Sequence, residues 1–295
     1  MGAIKHQRFI TDSDRLSARY GGVPVIYVES EEDHYVFAEC WFRDRQSTVE
    51  FKPASTKASV SGCNGVIEAV NMEKQAGNPA WGIVDRDSVM AHNRWDLVYE
   101  TNDAIFEAAK PFGSSVKVLR RWEMESYLVD GEAMEYHRAC FGMQAPRAEN
   151  AVYSELLDHC HALIPHAAIN AVHHLHHRDG LGDGFTNRFV SRADVEGEIQ
   201  LVMLPRLPES ARQDYDRHLA QADHFDISEL LPAERVNSLL RRVHGKAVLE
   251  RFCNAHRPEI QNAKISGHLA KRMEEQGRVP NEIDTFVTQV AQTAL

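Results

Sequence analysis

Two short apolar runs constrain this 295-residue chain most: Val23–Val28, entered from Gly22, and Ala80–Val84, entered from Pro79. Both end in carboxylates, Glu29 in the first case and Asp85 with Asp87 in the second. Runs of this length, bounded by polar residues and Gly or Pro, read as strands buried on both faces of a parallel sheet. The segments between them carry helical spacing. Glu31–Phe42 places Tyr35, Val36, Cys40 and Trp41 or Phe42 on one face, and Val66–Gln75 does the same with Ile67 and Val70 after a turn at Gly62–Gly65. Ser47–Pro53 alternates as a second strand, Asp96–Tyr99 is a short piece, Val116–Leu119 reads as a fourth strand and Trp122–Val129 as a further helix. Strands separated by single helices imply right-handed crossovers, hence an α/β fold with a mostly parallel sheet covered by helices.

Past Gly142 the β-branched runs vanish. Tyr153–Leu163, Ala167–His177, Arg192–Met203, Ser210–Leu219, Ile227–Leu231, Arg235–Phe252 and Ile283–Thr293 all have helical periodicity, with Pro165, Pro205, Pro208, Pro232 and Pro258 as expected boundaries. The organisation expected is a sheet-based domain over 1–142 and an α-helical C-terminal half over 143–295.

Composition narrows the function classes. A hydrophobic content of 43% with 26% charged residues is that of a soluble globular protein, and no run is long enough to cross a bilayer. The N-terminus, with Lys5, Arg8, Asp12 and Asp14, lacks a signal-peptide core. The five cysteines include no Cys-x-x-Cys pair, which supports neither a zinc knuckle nor a disulfide framework and suits a reducing cytoplasm. A formal charge of −10 argues against coating nucleic acid by bulk attraction, though cations bound at an acidic site would invert its sign locally. The run His173–His177 lacks a third ligand in register and reads as surface or interface histidines. Asp179–Gly184 has no Gly-Lys-Ser/Thr and reads as a loop.

Ligands of parallel sheets bind beyond the carboxyl ends of the strands. Neighbouring strands ending at Glu29 and at Asp85-x-Asp87 would bring three carboxylates to one rim, where they repel unless a hard divalent cation sits among them. The plainer alternatives are ion pairs with Arg86 or Arg120, and helix N-capping by Asp33 and Asp87.

The order of these parts resembles the Toprim fold, in which a lone Glu follows the first strand and an Asp-x-Asp follows the third. Glu29-Ser30-Glu31-Glu32-Asp33 is similar to the Glu-Gly-x-x-Asp opening of OLD-family nucleases, with Ser30 in place of the usual Gly. Arg121-Trp122-Glu123-Met124-Glu125-Ser126-Tyr127-Leu128 resembles the Glu-Asn-Tyr-Leu signature of that branch, with Ser126 in place of Asn, and His244-Gly245-Lys246 is similar to a stretch found late in such proteins. Within the branch the chain looks most like the stand-alone Toprim toxin subunits of PARIS-type phage-defence systems. The resemblance covers roughly residues 20–130 and that later stretch.

What the resemblance implies is a Mg²⁺- or Mn²⁺-dependent endonuclease. Glu29, Asp33, Asp85, Asp87 and Glu125 would be its metal ligands, and Glu29, Asp85, Asp87 and Glu125 its catalytic acids; whether Glu123 or Glu125 is the functional one stays open. It also implies an RNA substrate, tRNA included, with DNA as the alternative, a cytoplasmic role as toxic effector in antiviral defence, restraint by an ABC-type ATPase, self-association as a homodimer and no membrane partner. A Toprim-like module without catalysis is the competing reading.

Overall fold

The computed structural model describes residues 23–142, 145–256 and 265–293. The N-terminal segment with Lys5, Arg8, Asp12 and Asp14, and Pro258, lie outside the described residues. The fold is α/β: a four-stranded, all-parallel sheet in the order β2-β1-β3-β4, flanked by helices and followed by a helical C-terminal half. The strands are β1 (Val25–Val28), β2 (Glu50–Pro53), β3 (Ala80–Val84) and β4 (Val116–Val118). Central β1 pairs with β2 from Val25↔Glu50 to Val28↔Pro53 and with β3 from Val25↔Ala80 to Tyr27↔Gly82. Three residues of β1 are buried, as a strand covered on both faces requires.

By contacts the chain divides into two compact units, Met1–Ile83 with Asn281–Leu295, and Val84–Pro280. In the first, helix α1 (Glu31–His34) runs on without a break into a π-helical stretch, Tyr35–Trp41, closed by the bond from Phe42 N to Phe37 O at 2.9 Å. This buries Phe37, Trp41 and Phe42 about Phe51 of β2, with ring centroids 5.6–5.7 Å apart. Helix α2 is Gly62–Gln75, so the expected turn at Gly62–Gly65 is instead the helix's opening turn, entered with Gly62 at φ +64°. Glycine reaches that left-handed conformation without strain.

In the second unit, the short helices α3 (Asp87–Ala91), α4 (Trp95–Val98) and α5 (Asp103–Ala109) precede β4. They are followed by α6 (Glu125–Leu128), α7 (Gly131–Gly142), α8 (Glu149–Leu175), α9 (Arg192–Glu198), α10 (Ser210–Asp223), α11 (Pro232–Leu239), α12 (Gly245–His256) and α13 (Ile265–Glu275); helix α14 (Asn281–Gln292) belongs to the first unit. Helix α8 is 27 residues long and contains Pro165, where a helix boundary is expected from the sequence. An interior proline removes one backbone bond and costs about 3 kcal/mol, but every residue from Ala162 to His173 is buried, so packing outweighs the local preference. The expected helix Ile227–Leu231 is a turn, and Arg235–Phe252 is two helices parted at Leu240–His244. One hydrophobic cluster of this unit gathers Ala168, Ile169 and Val172 of α8 against Val195, Ile199, Leu204, Ala211 and Tyr215.

Candidate metal centre

Asp85 leaves β3 and is held on two sides. Its Oδ1 accepts from Met124 N at 2.9 Å, and its carbonyl accepts from Ser88 N and Oγ at 3.3 and 2.6 Å. Between the two acids Arg86 turns inward. It is 1% exposed, donates to the carbonyls of Arg120, Leu97 and Glu100 and lies 4.2 Å from the centroid of Phe106. Burial pulls this guanidinium down to about 9, with Arg241 and Arg242 adding to the effect. Among its hydrogen bonds none goes to the acids at the strand ends, so Arg86 ties the strand end to neighbouring loops instead of neutralising the rim.

Asp87 opens α3 and its N–H donates to Trp122 O at 3.2 Å. Although Asp87 retains exposed surface, protein crowds its carboxyl. Lost hydration first, and then Glu123, push it up to about 6. Glu123 is the counterweight. Burial opposes its charge, but His244 and the backbone N–H of Lys246, which donates to Oε1 at 2.7 Å, hold it below the ordinary carboxylate range. His244 Nδ1 lies 3.6 Å from its other oxygen.

These contacts depend on a close crossing. A Cβ on Gly245 would overlap the backbone N and Cα of Ser126 and stand 2.6 Å from Ser126 Oγ, so only glycine lets the His244-Gly245-Lys246 turn seat against the Glu123–Ser126 turn. The segment before α6 is pinned likewise, with the Tyr127 hydroxyl accepting from the N–H groups of Arg120 and Arg121 at 3.1 and 3.2 Å. These bonds keep residues 120–124 irregular, which is why the helix expected from Trp122 begins only at Glu125.

On β1, Glu29 follows a strand that is the parallel neighbour of β3, and its Oε2 would lie 3.5 Å from a Cβ on Gly62. Because β1 and β3 run parallel side by side, Glu29 and the Asp85-x-Asp87 pair follow neighbouring strands at their carboxyl ends. Asp33 is buried and engaged in a capping box: Asp33 N donates to Ser30 Oγ and Ser30 N to Asp33 Oδ2, both at 3.0 Å. Ser30, standing where glycine is usual in the resembling families, thus builds the helix start that orients Asp33. Glu125 is the first residue of α6, half-buried, and lies outside the three-acid group.

The pairing of Glu123 with the His-Gly-Lys turn is the feature that sequence reasoning did not assemble. Both motifs are visible along the chain, but only Gly245, unexplained within a helical stretch, hints that they touch. His173, expected at the surface, is 8% exposed and hydrogen-bonds through Nδ1 to Asp179 O at 2.7 Å. His176 pairs with Asp214, while His174 meets Asn93 and Trp95.

A scan against protein-family models found no match, and comparisons with curated proteins and with solved structures found none either. The fold and the acidic rim stand on their own geometry.

Proposed function

We propose that the chain is a divalent-metal-dependent nuclease, with RNA, tRNA included, as its substrate and DNA as the alternative. The observation that carries this reading is the pairing of β1 with β3 in parallel, which ends one strand in Glu29 and its neighbour in Asp85-x-Asp87. The donors are all hard oxygens with no thiolate or imidazole among the three, which fits Mg²⁺ or Mn²⁺ better than zinc. The upward push on Asp87 points the same way: without a cation the rim holds more negative charge than its surroundings solvate.

Glu29, Asp85 and Asp87 would hold the metal. When bound, such a cation polarises a phosphodiester and acidifies bound water. The remaining work falls to the chain. Met124 N–H and the Ser88 hydroxyl fix the Asp85 main chain and side chain. Glu123 anchors the turn that carries Lys246, whose exposed ammonium supplies the positive charge a phosphate backbone seeks. The toxic role in antiviral defence, restraint by an ABC-type ATPase and a homodimer follow from the resemblance to PARIS-type subunits and belong to this proposal.

Incubating the purified protein with tRNA and with plasmid DNA, each in Mg²⁺, Mn²⁺ or EDTA, tests it. Metal-dependent scission that Asp85→Asn abolishes is expected. Absence of scission of either polymer in both metals would favour the interaction module.

A further inference from the structure

Behind α4 lies a small recess of about 150 Å³, lined by Trp95, Tyr99, Leu175, Arg217, His218 and Gln221. It is half-enclosed and polar at its mouth. Trp95 and Tyr99 keep part of their rings exposed, whereas His218 is 3% exposed and stands 5.2 Å from the Trp95 centroid and 5.5 Å from that of Tyr99. Trp95 and Tyr99 are both half-buried, and aromatic rings beside a polar cleft offer a planar ligand an apolar surface to stack on.

The hydrogen bonding is incomplete in a directed way. Arg242, 1% exposed, reaches the Tyr99 hydroxyl at 3.5 Å, and that hydroxyl is 2.7 Å from His218 Nδ1. A guanidinium can only donate, so the tyrosine oxygen accepts from it, and the hydroxyl shares a second hydrogen bond with Nδ1. Burial, then Arg242 and Arg217, push His218 down to about 4, so the ring is neutral and offers one N–H donor and one acceptor nitrogen. The Nε2 atom is buried and has no partner among the described residues. An unsatisfied buried polar atom costs about 1–3 kcal/mol, and in either tautomer Nε2 calls for a hydrogen-bond partner. Gln221 adds an amide at the wall, and at the mouth Arg217, 56% exposed, is paired with Asp214 at 2.7 Å.

Whole small-molecule ligands occupy cavities of about 300–1,000 Å³. This recess is below that range and suits one planar ring of something larger. Trp95 is eight positions beyond Asp87, at most about 29 Å along an extended chain and less through the helical turns of α3 and α4. Resting on the nuclease reading, we propose that the recess receives one unstacked nucleobase of a single-stranded substrate, with Trp95 as the stacking platform and Gln221 with His218 meeting the base edge. Stacking on an aromatic side chain tolerates every base, because each presents a π-face.

The test reads tryptophan emission of the full chain in EDTA, so that binding is measured without cleavage, on titration with an adenine oligoribonucleotide, adenosine monophosphate and ribose 5-phosphate. Quenching by the first two and none by the sugar phosphate is expected. Trp95→Leu should weaken oligonucleotide binding by about 5- to 150-fold, the range of one base stack, while Trp95→Phe retains most of it. Gln221→Ala, which disturbs no aromatic packing, should weaken binding without altering the circular dichroism. Equal affinity for the oligonucleotide in folded Trp95→Leu and Gln221→Ala, or equal competition by ribose 5-phosphate, would overturn the proposal. Scission unaffected by either variant leaves the nuclease reading standing and removes this one. Base-dependent quenching at Trp95 in a protein that cuts nothing does the reverse, making the recess a mononucleotide site.

Discussion

Gly245 shows how narrowly one position can be specified. Any side chain there overlaps the backbone of Ser126, so Gly245→Ala must push apart the two turns that hold Glu123, His244 and Lys246. Overpacking of this kind costs about 1–3 kcal/mol, and a urea denaturation midpoint should fall accordingly. Scission should fall further than stability does, because the turn carrying Lys246 is displaced. Asp87 is expected to behave oppositely. Its carboxyl is crowded and pushed toward neutrality, so Asp87→Asn should leave the metal-free melting temperature unchanged or higher. Adding Mg²⁺ should raise the melting temperature of the parent protein by mass action and not that of the variant. A variant that melts well below the parent in EDTA would assign Asp87 a structural ion-pair role instead.

Among the elements, the buried network around Glu135 of α7 is the most vulnerable. Its carboxylate accepts from Arg138 at 2.5 and 2.9 Å and from Arg147 through both its backbone and guanidinium N–H groups. Arg147 in turn pairs with Glu155 of α8 at 2.7 Å. Arg138 is 5% exposed, and removing a buried ion's partner costs about 3–5 kcal/mol. Glu135→Ala should lower the unfolding free energy by about that amount, read by chemical denaturation. Nothing along the chain announces this network, because its members are spread over 20 positions and make sense only once α7 and α8 pack. Strands β1 and β3 were legible for the opposite reason: they are local apolar runs, and a run buried on both faces declares itself. Pro165 misleads because the rule it follows is local while α8 is held by burial on every side. Of the site, the acids at strand ends could be read from position alone. The seating of Glu123 on a distant His-Gly-Lys turn could not, since the two stretches lie far apart along the chain.

Across the whole molecule, acid should unfold the protein in two stages. Burial, with neighbouring cations or histidines, pushes His137 and His218 down to about 4 and His166 to about 3. Their folded values lie below the unfolded value of about 6.5, so the unfolded chain binds these protons first. The stability they contribute is therefore complete above pH 6.5 and is lost as pH falls toward 4. Glu135 and Glu155, against the cost of burial, are held at about 2 by arginine and histidine partners, and their contribution disappears between about pH 4.5 and 2. Urea midpoints taken at pH 7.5, 5.5 and 4 should decline steadily; a flat profile between 7.5 and 5.5 would mean that the histidines are solvated in solution.

The unit that carries β1 is assembled from both ends of the described sequence, because α14 closes on it through Arg45, which donates to Asp284 at 2.7 Å and to Thr288 at 2.8 Å. On the ribosome, then, the segment bearing Glu29 waits for α14 while Val84–Pro280 is made. At about 5–20 residues per second that interval is on the order of 10–40 s. A nascent chain stalled before Asn281 would hold Glu29 on an unfinished scaffold, so the first unit closes only after the whole of the second has been synthesised.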